Sequence, residues 1–292
     1  MRIGVVGLGL IGGSFALGVK RALPVVSVVG MDRDEASVDD ALKRGVIDAA
    51  ADWAELGRCD AVLIAVPVRQ MQEVFAAITP HLSETTVLTD AGSTKVAVID
   101  AGRHALGKSI GQFVPGHPIA GREKSGVHAA AGELFEGRHV VLTPLPENSP
   151  DAVARIESLW QSCGARVMRL DAHEHDRVFA AVSHLPHAIA FALVDELAAR
   201  PNARQLFTFA ASGFRDFTRI AGSNPEMWRD IALDNGDALA DECRRIESKL
   251  AQLRGAIEVR DGEQLFALMQ RARDARERWM AGELDGFRDD AV

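Results

Sequence analysis

The chain has 292 residues, 47% hydrophobic and 25% charged, with a formal net charge of −8. That length accommodates two domains of ordinary size, and that balance is the composition of a soluble globular protein. The acidic excess disfavours non-specific nucleic-acid binding and an anionic membrane surface, while leaving local arginines free to hold an anionic metabolite.

Three cysteines, Cys59, Cys163 and Cys243, lie far apart in the chain. They form neither a disulfide framework nor a zinc-ligand spacing, which fits a reducing, cytoplasmic setting. The stretch Ile3 to Val19 is apolar enough to resemble a signal-peptide core, but it carries glycines at 4, 7, 9, 12, 13 and 18. That spacing suits a phosphate-binding turn rather than an inserting helix, and no other stretch reads as a membrane span.

Arg2 to Val6 is a short apolar run that enters Gly7-Leu8-Gly9-Leu10-Ile11-Gly12. A second apolar strand, Val25 to Met31, ends at Asp32, twenty residues after Gly12. Strand, glycine turn, helix and a downstream acid make up a dinucleotide-binding fingerprint. Gly7 allows the tight turn, Gly9 lets backbone approach a pyrophosphate, and Gly12 lets helix pack on strand. Leu10 and Ile11 open the helix whose N-terminus receives the phosphate charge. Asp32 can accept ribose hydroxyls and favours NAD over NADP, because a carboxylate repels a 2′-phosphate; Arg33 beside it leaves NADP open.

The alternation continues. Glu35–Arg44 reads as helix, Asp60–Val66 as a buried parallel strand closing at Pro67, Arg69–Ile78 as helix, and Thr86–Thr89 as strand. A helix over Val96–Ala105 and a short strand over Gln112–Val114 follow. Arg138–Leu142 and Arg166–Leu170 read as the last strands, around a helix from Pro150 to Cys163. This pattern predicts a doubly wound parallel sheet with helices on both faces, in a Rossmann-type α/β domain spanning 1–171. Ligands of such sheets lie at the carboxyl ends of strands, which here are the Gly7 turn, Val66-Pro67, the segment 90–95 and the segment 114–126. In that last segment Gly and Pro are dense enough to predict a loop that aims a single histidine, His117.

Past Asp171 the pattern is helical to the end, which predicts an all-α second domain over 172–292. Ala172–Arg200 is one helical stretch interrupted at Ser183-His184-Leu185-Pro186-His187, where proline requires a kink or two abutting helices. Asn202–Phe209 reads as helix and the segment 212–219 as a charged, aromatic turn. Ser223-Asn224-Pro225-Glu226 starts a helix that runs to about Val259, and a last helix covers Gly262–Met280. Leu239, Cys243, Ile246, Leu250, Leu253 and Ile257 repeat in steps of four and three, a seam that suggests a homodimer.

A Rossmann domain followed by helices also describes 3-hydroxyacid-type dehydrogenases. Those would place a catalytic lysine at the start of the helical domain, and no lysine occurs between Lys124 and Lys249. A non-catalytic NAD-binding module is a third reading, one that would not require His117, Ser93 and Arg219 to converge.

The motifs D-A-G-S-T-K (90–95), G-H-P-I-A-G-R-E-K-S-G (116–126), S-H-L-P-H (183–187), G-F-R-D-F-T-R-I-A (213–221) and N-P-E-M-W-R-D (224–230) together resemble the prephenate/arogenate dehydrogenase family of tyrosine biosynthesis. The resemblance covers nearly the whole chain in order. It implies oxidative decarboxylation of prephenate, arogenate or both, with hydride passing to NAD.

By that resemblance His117 is the base that takes the proton of the substrate's 4-hydroxyl, to which it is hydrogen-bonded, and Ser93 bridges substrate and nicotinamide. Arg219 holds the ring carboxylate, His187 faces the side chain, and Glu123 gates the entrance. Ser212 and Trp228 lie near the pocket. His184 is expected to be structural. His173, His175, His184 and His187 lack the accompanying acid and cysteine pattern of a metal site, so no metal is expected. Two departures stand out: Ser212 replaces an expected glycine, and Arg122 replaces a small hydroxyl residue, where it could add a second carboxylate contact or point to solvent.

Overall fold

A computed structural model describes residues 1–121 and 126–283. β1 (Arg2–Val6), α1 (Leu10–Ala22), β2 (Ser27–Met31), α2 (Glu35–Lys43), β3 (Ala49–Ala50), α3 (Trp53–Leu56), β4 (Ala61–Ile64), α4 (Met71–Ile78), β5 (Val87–Asp90), α5 (Val96–Leu106) and β6 (Phe113–Val114) build a Rossmann-type layer. Its sheet runs β3-β2-β1-β4-β5-β6, every pair parallel. The chain order reverses at β1/β4, and a doubly wound sheet binds its ligand in the crevice at such a reversal.

Strand periodicity explains how the sheet buries both faces. Along β4, Ala61 and Leu63 face one core with Phe15 of α1, while Val62 and Ile64 face the other with Phe75 of α4. Both faces covered is what turns alternation into the continuous apolar run seen in the sequence. β3 and α3 are too short to carry a periodic signal, and the sequence pattern missed both.

The sheet does not extend as expected. β7 (Gly116–Pro118), β8 (His139–Leu142) and β9 (Arg166–Arg169), with α6 (Pro150–Ser162) between the last two, form a separate three-stranded sheet. Within it β7 and β8 are antiparallel and β8 and β9 parallel. His117 therefore sits in a strand paired with Val141 rather than in a loop. Pro118 is tolerated because β7 is an edge strand of that sheet.

From Ala172 onward the described chain is helical: α7 (Ala172–Phe179), α8 (Leu185–Ala198), α9 (Ala203–Thr208), α10 (Ser212–Thr218), α11 (Pro225–Asp234), α12 (Gly236–Glu258) and α13 (Gly262–Ala281). At the expected interruption a π-turn over Ala180–His184 stands between α7 and α8, and Pro186 falls in the first turn of α8, where its missing N–H costs no helical bond. The resulting run Ala172–Ala198 is 27 residues long and apolar enough to cross a membrane by length and composition, a feature the sequence reading passed over. The expected charged turn at 212–219 is helix α10. The long helix expected to run from 225 breaks at Asn235, whose side chain turns to bond the backbone of Asp176. Asn224 caps α11 as expected, accepting from Glu226 and Met227 N–H.

By compactness the chain divides into Met1–Leu239 and Ala240–Val292. In the second, Asp261 caps α13 and Gly282 ends it in a left-handed conformation. Leu250 and Ile257 of the α12 seam are more than half exposed, as are Phe266, Met269, Trp279 and Met280 of α13.

Candidate active site

The glycine turn has the geometry its sequence implies. Gly7 adopts a φ of +90°, and a Cβ there would lie 2.5 Å from the Ala65 carbonyl oxygen. At Gly12 a Cβ would stand 2.0 Å from the Gly7 oxygen, so helix and turn can approach only without one. A Cβ on Gly9 would meet nothing within 4 Å, leaving open space in front of the first turn of α1, where Leu10 and Ile11 begin the helix.

No acidic side chain occupies that turn and no side chain caps Gly9, so its N–H groups face the open space with the helix dipole behind them. Asp32 closes the cradle: one oxygen accepts the Leu8 N–H at 2.7 Å, the other the Asp34 N–H at 3.0 Å. Each retains a lone pair for a ribose hydroxyl. Arg33 is exposed beside it, Val66 packs beside Gly7, and Pro67 opens a 3₁₀ turn at the carboxyl end of β4. These residues fit NAD. Where it binds, the turn and α1 hold the pyrophosphate, and Asp32 holds the ribose.

The next strand end is built around a buried ion pair. Lys95 Nζ contacts Asp90 Oδ2, both side chains fully buried. The same pair holds the peptide before the histidine: Asp90 Oδ1 accepts the Gly116 N–H at 2.9 Å, and Lys95 Nζ donates to the Gly116 carbonyl at 2.7 Å. Burial pushes the Lys95 ammonium below its usual range, with Asp90 opposing. Ser93 lies half-buried in the connection between β5 and α5. The position of His117 is thus set by polar groups that cannot move without exposing a charge to a dry interior.

His117 is 9% exposed. Its Nδ1 shares a 2.8 Å hydrogen bond with Nε2 of His175, and its ring packs 4.8 Å from that of Phe179. Burial first, then the charges of His175, Lys95 and His184, hold its pKa well below that of an ordinary histidine. The ring is neutral at pH 7 and can accept a hydrogen bond.

His175 Nδ1 in turn contacts Asp176 Oδ1 at 2.8 Å. Asp176 also receives the backbone N–H of Lys95 at 2.8 Å and of Val96 at 3.0 Å. Burial acts to raise the Asp176 pKa, but the His175 bond and the two backbone donors outweigh it and keep the carboxyl ionised.

The helical side contributes a second histidine group. His184, 1% exposed, is contacted through Nδ1 by Asn235 Nδ2 at 3.1 Å, and burial pushes its pKa to about 4. His187 is half-buried, its Nδ1 donating to the Ser183 carbonyl at 2.9 Å and its ring stacked on Trp228 at 3.6 Å and 20°. The charge of Arg219, in the turn after α10, helps to lower the His187 pKa, although burial is the larger cause. An apolar cavity of about 240 Å³ abuts this group, lined by His184, Ala188, Phe191, Trp228, Ile231 and Leu239. Ser212 is exposed at the start of α10. Arg122 and Glu123 lie outside the described residues.

His117, His184, His187 and Trp228 therefore belong to two contiguous groups, with Arg219 close enough to be felt by one of them. The sequence reading did not single out the Lys95 side chain, Asp176 or Asn235, and weighed His175 only as a metal ligand. The signal available was the run H-E-H-D over 173–176, but its partners are 58 and 81 residues away.

A dinucleotide cradle in a sheet that also anchors, through Asp90 and Lys95, the strand of a neutral imidazole needs only a substrate hydroxyl to become a hydride-transfer site, and this defines the chain as a nicotinamide-linked dehydrogenase. Comparison with known proteins narrows the class. Residues 15–169 match the family model "Prephenate dehydrogenase, nucleotide-binding domain", and residues 171–271 match "Prephenate dehydrogenase, dimerization domain". The chain is 40% identical to a prephenate dehydrogenase of Bacillus subtilis over 93% of its own length and 74% of that protein. It is 37% identical to a cyclohexadienyl dehydrogenase of Zymomonas mobilis, covering 94% of each. The crystal structure of Aquifex aeolicus prephenate dehydrogenase with hydroxyphenyl propionate and NAD+ superposes with a TM-score of 0.89 at 36% identity, over 95% of this chain and 98% of that one. The chain belongs to the prephenate dehydrogenase family.

Proposed function

We propose that the chain converts prephenate to 4-hydroxyphenylpyruvate and CO2 with reduction of NAD+, a step of L-tyrosine biosynthesis. The observation that carries this reading is His117: a neutral, fixed imidazole on a strand tied through Gly116 to Asp90 and Lys95, at the carboxyl end of β5 in the nucleotide-binding sheet. Bound NAD+ supplies the hydride acceptor for the ring carbon that bears the 4-hydroxyl.

His117 does the chain's part at that carbon. It accepts the hydroxyl proton as the C–H pair leaves, and returns it to the phenolate oxygen once the ring is aromatic and CO2 has departed from the opposite carbon. The net reaction then releases no proton, and aromatisation provides much of the driving force, so orientation and one held proton are what the protein must contribute.

Arg219 suits the ring carboxylate, since a guanidinium fork recognises a carboxylate at two points. Ser93, in the connection after β5 and with its backbone bonded to His184, suits a bridge between hydroxyl and nicotinamide. His187 and Trp228 offer a flat wall to the substrate side chain. Two further assignments complete the reading. A second copy of the chain covers the half-buried apolar side chains of α8 and the exposed ones of α12 and α13, consistent with the dimerization model matched by 171–271. The three scattered cysteines suit a cytoplasmic setting.

Steady-state assays of prephenate and of arogenate, each with NAD+ and with NADP+, test the activity. Turnover of prephenate with NAD+ is expected, and none in any of the four combinations overturns the reading. Light scattering of the purified chain tests the dimer, and a monomer across the micromolar range overturns it.

A further inference from the structure

The geometry points to an Asp176–His175–His117 relay in which Asp176 and His175 fix the tautomer of His117, placing its one ring proton on Nδ1 and its lone pair on Nε2. The inference rests on the reading of His117 as the base. The four groups stand in line: backbone N–H groups of Lys95 and Val96 on Asp176, Asp176 on His175 Nδ1, and His175 Nε2 on His117 Nδ1, at 2.8, 3.0, 2.8 and 2.8 Å.

Donor counting decides the protons. An ionised carboxylate only accepts, so His175 must donate from Nδ1. A neutral imidazole that donates from one nitrogen accepts at the other, so His175 Nε2 takes the proton of His117 Nδ1. His117 Nε2 is then left as an acceptor, and among the described residues no hydrogen bond engages it. The substrate hydroxyl needs that state, because the other tautomer would point its one N–H at an O–H donor.

A merely structural pair would not require Asp176 to be held so closely. Its side chain is 7% exposed, yet it takes three donors, and its own carbonyl accepts Asn235 Nδ2 at 2.7 Å. Two of the three are backbone N–H groups of Lys95 and Val96, two and three residues past Ser93. Lys95 therefore acts twice, with its ammonium on the peptide before His117 and its amide on the carboxylate behind His175. When His117 takes the substrate proton at Nε2, the ring becomes a cation whose Nδ1–H already points to His175, and the Asp176 charge lies one ring beyond. Asp176 and His175 are positioning residues; neither is assigned a contact with substrate.

The test is ¹⁵N NMR of histidine ring nitrogens in the full-length chain at pH 7.5 without substrate, with His117→Asn used for assignment. His117 is expected as the Nδ1–H tautomer with Nε2 unprotonated. A proton on Nε2 overturns the proposal whatever the activity. Kinetics supply the second arm. General-base assistance is worth about 10²–10⁴-fold and neutralising a triad carboxylate costs roughly 10⁴-fold. With one more ring between charge and base, Asp176→Asn and His175→Phe are expected to lower kcat about 10²-fold, with KM changed less than about 3-fold. His175→Gln, which keeps an acceptor for Nδ1–H, should recover kcat to within about 10-fold. Unchanged kcat in folded His175→Phe, or equal loss in His175→Gln, overturns it. Failure of the wild-type chain to use prephenate would instead overturn the functional reading, leaving the tautomer measurement to stand.

Discussion

Lys95 and Asp90 form an ion pair with both side chains at 0% exposure, and between them they hold the backbone N–H and C=O of Gly116. Asp90 also accepts the Gly92 N–H at 2.7 Å. Buried pairs of this kind are weak sources of stability compared with an apolar replacement, but breaking one leaves a charge without a partner. Here the pair sits directly before the histidine, so its cost is repaid in the position of one strand.

Lys95→Met is accordingly expected to destabilise the fold by about 3–5 kcal/mol, measured by urea unfolding, because the Asp90 carboxyl group loses its buried cationic partner. The double variant Lys95→Met/Asp90→Leu should not recover fully, since the Gly92 and Gly116 N–H groups then lose their acceptor. Full recovery would show that the pair serves the fold alone.

The glycines of the first turn should separate by role. Gly12→Ala places a methyl 2.0 Å from a backbone oxygen and is expected to lower Tm by several degrees or prevent folding. Gly9→Ala meets no neighbour, so Tm should hold while NAD+ affinity, read by isothermal titration, weakens by about 10-fold or more as the methyl enters the pyrophosphate space. Loss of stability in Gly9→Ala with unchanged affinity would reverse the assignment.

Stability should fall as the solution is acidified below about pH 6.5. His117, His175, His184 and His187 all have pKa values lowered in the fold, chiefly by burial. The unfolded chain takes up their protons near 6.5 while the folded chain does not, so protonation favours unfolding between that value and the lower folded values. Above pH 6.5 the penalty vanishes. His184 alone, at about 4, contributes a loss of roughly 3 kcal/mol across that window. Denaturant midpoints measured from pH 7.5 to 4.5 check this, and His184→Asn should flatten the slope. Asp176 acts in the same sense at lower pH: its carboxyl is held below the ordinary carboxylate range, so the stability it contributes is present above about pH 4 and is lost as pH falls below that range toward its folded value.

Arg219→Ala is expected to raise KM for prephenate on the order of 10²-fold, the loss of one charge-assisted carboxylate pair worth about 2–3 kcal/mol. NAD+ affinity should stay within a few-fold. An unchanged KM would place Arg219 outside the substrate site.

Much of this molecule is legible as local pattern. The turn from Gly7 to Gly12, the acid at Asp32 and the apolar strands of the parallel sheet follow from backbone sterics and from two-residue and 3.6-residue periods, which need no knowledge of distant contacts. The helical character past Ala172 follows in the same way. Glycine and proline density singled out His117, but its role, and Arg219 altogether, were legible only because whole motifs resemble a known family.

The rest was decided by tertiary structure. Nothing within the segment 114–126 says that Gly116–Pro118 will pair antiparallel with β8, because strand pairing depends on a partner more than twenty residues away. Nothing in H-E-H-D says that His175 will meet His117 and that Asp176 will receive the start of α5. Hydrogen bonds between side chains distant in sequence leave no periodic trace, and a buried Lys95 or Asp176 looks like a surface charge until the fold removes the water around it.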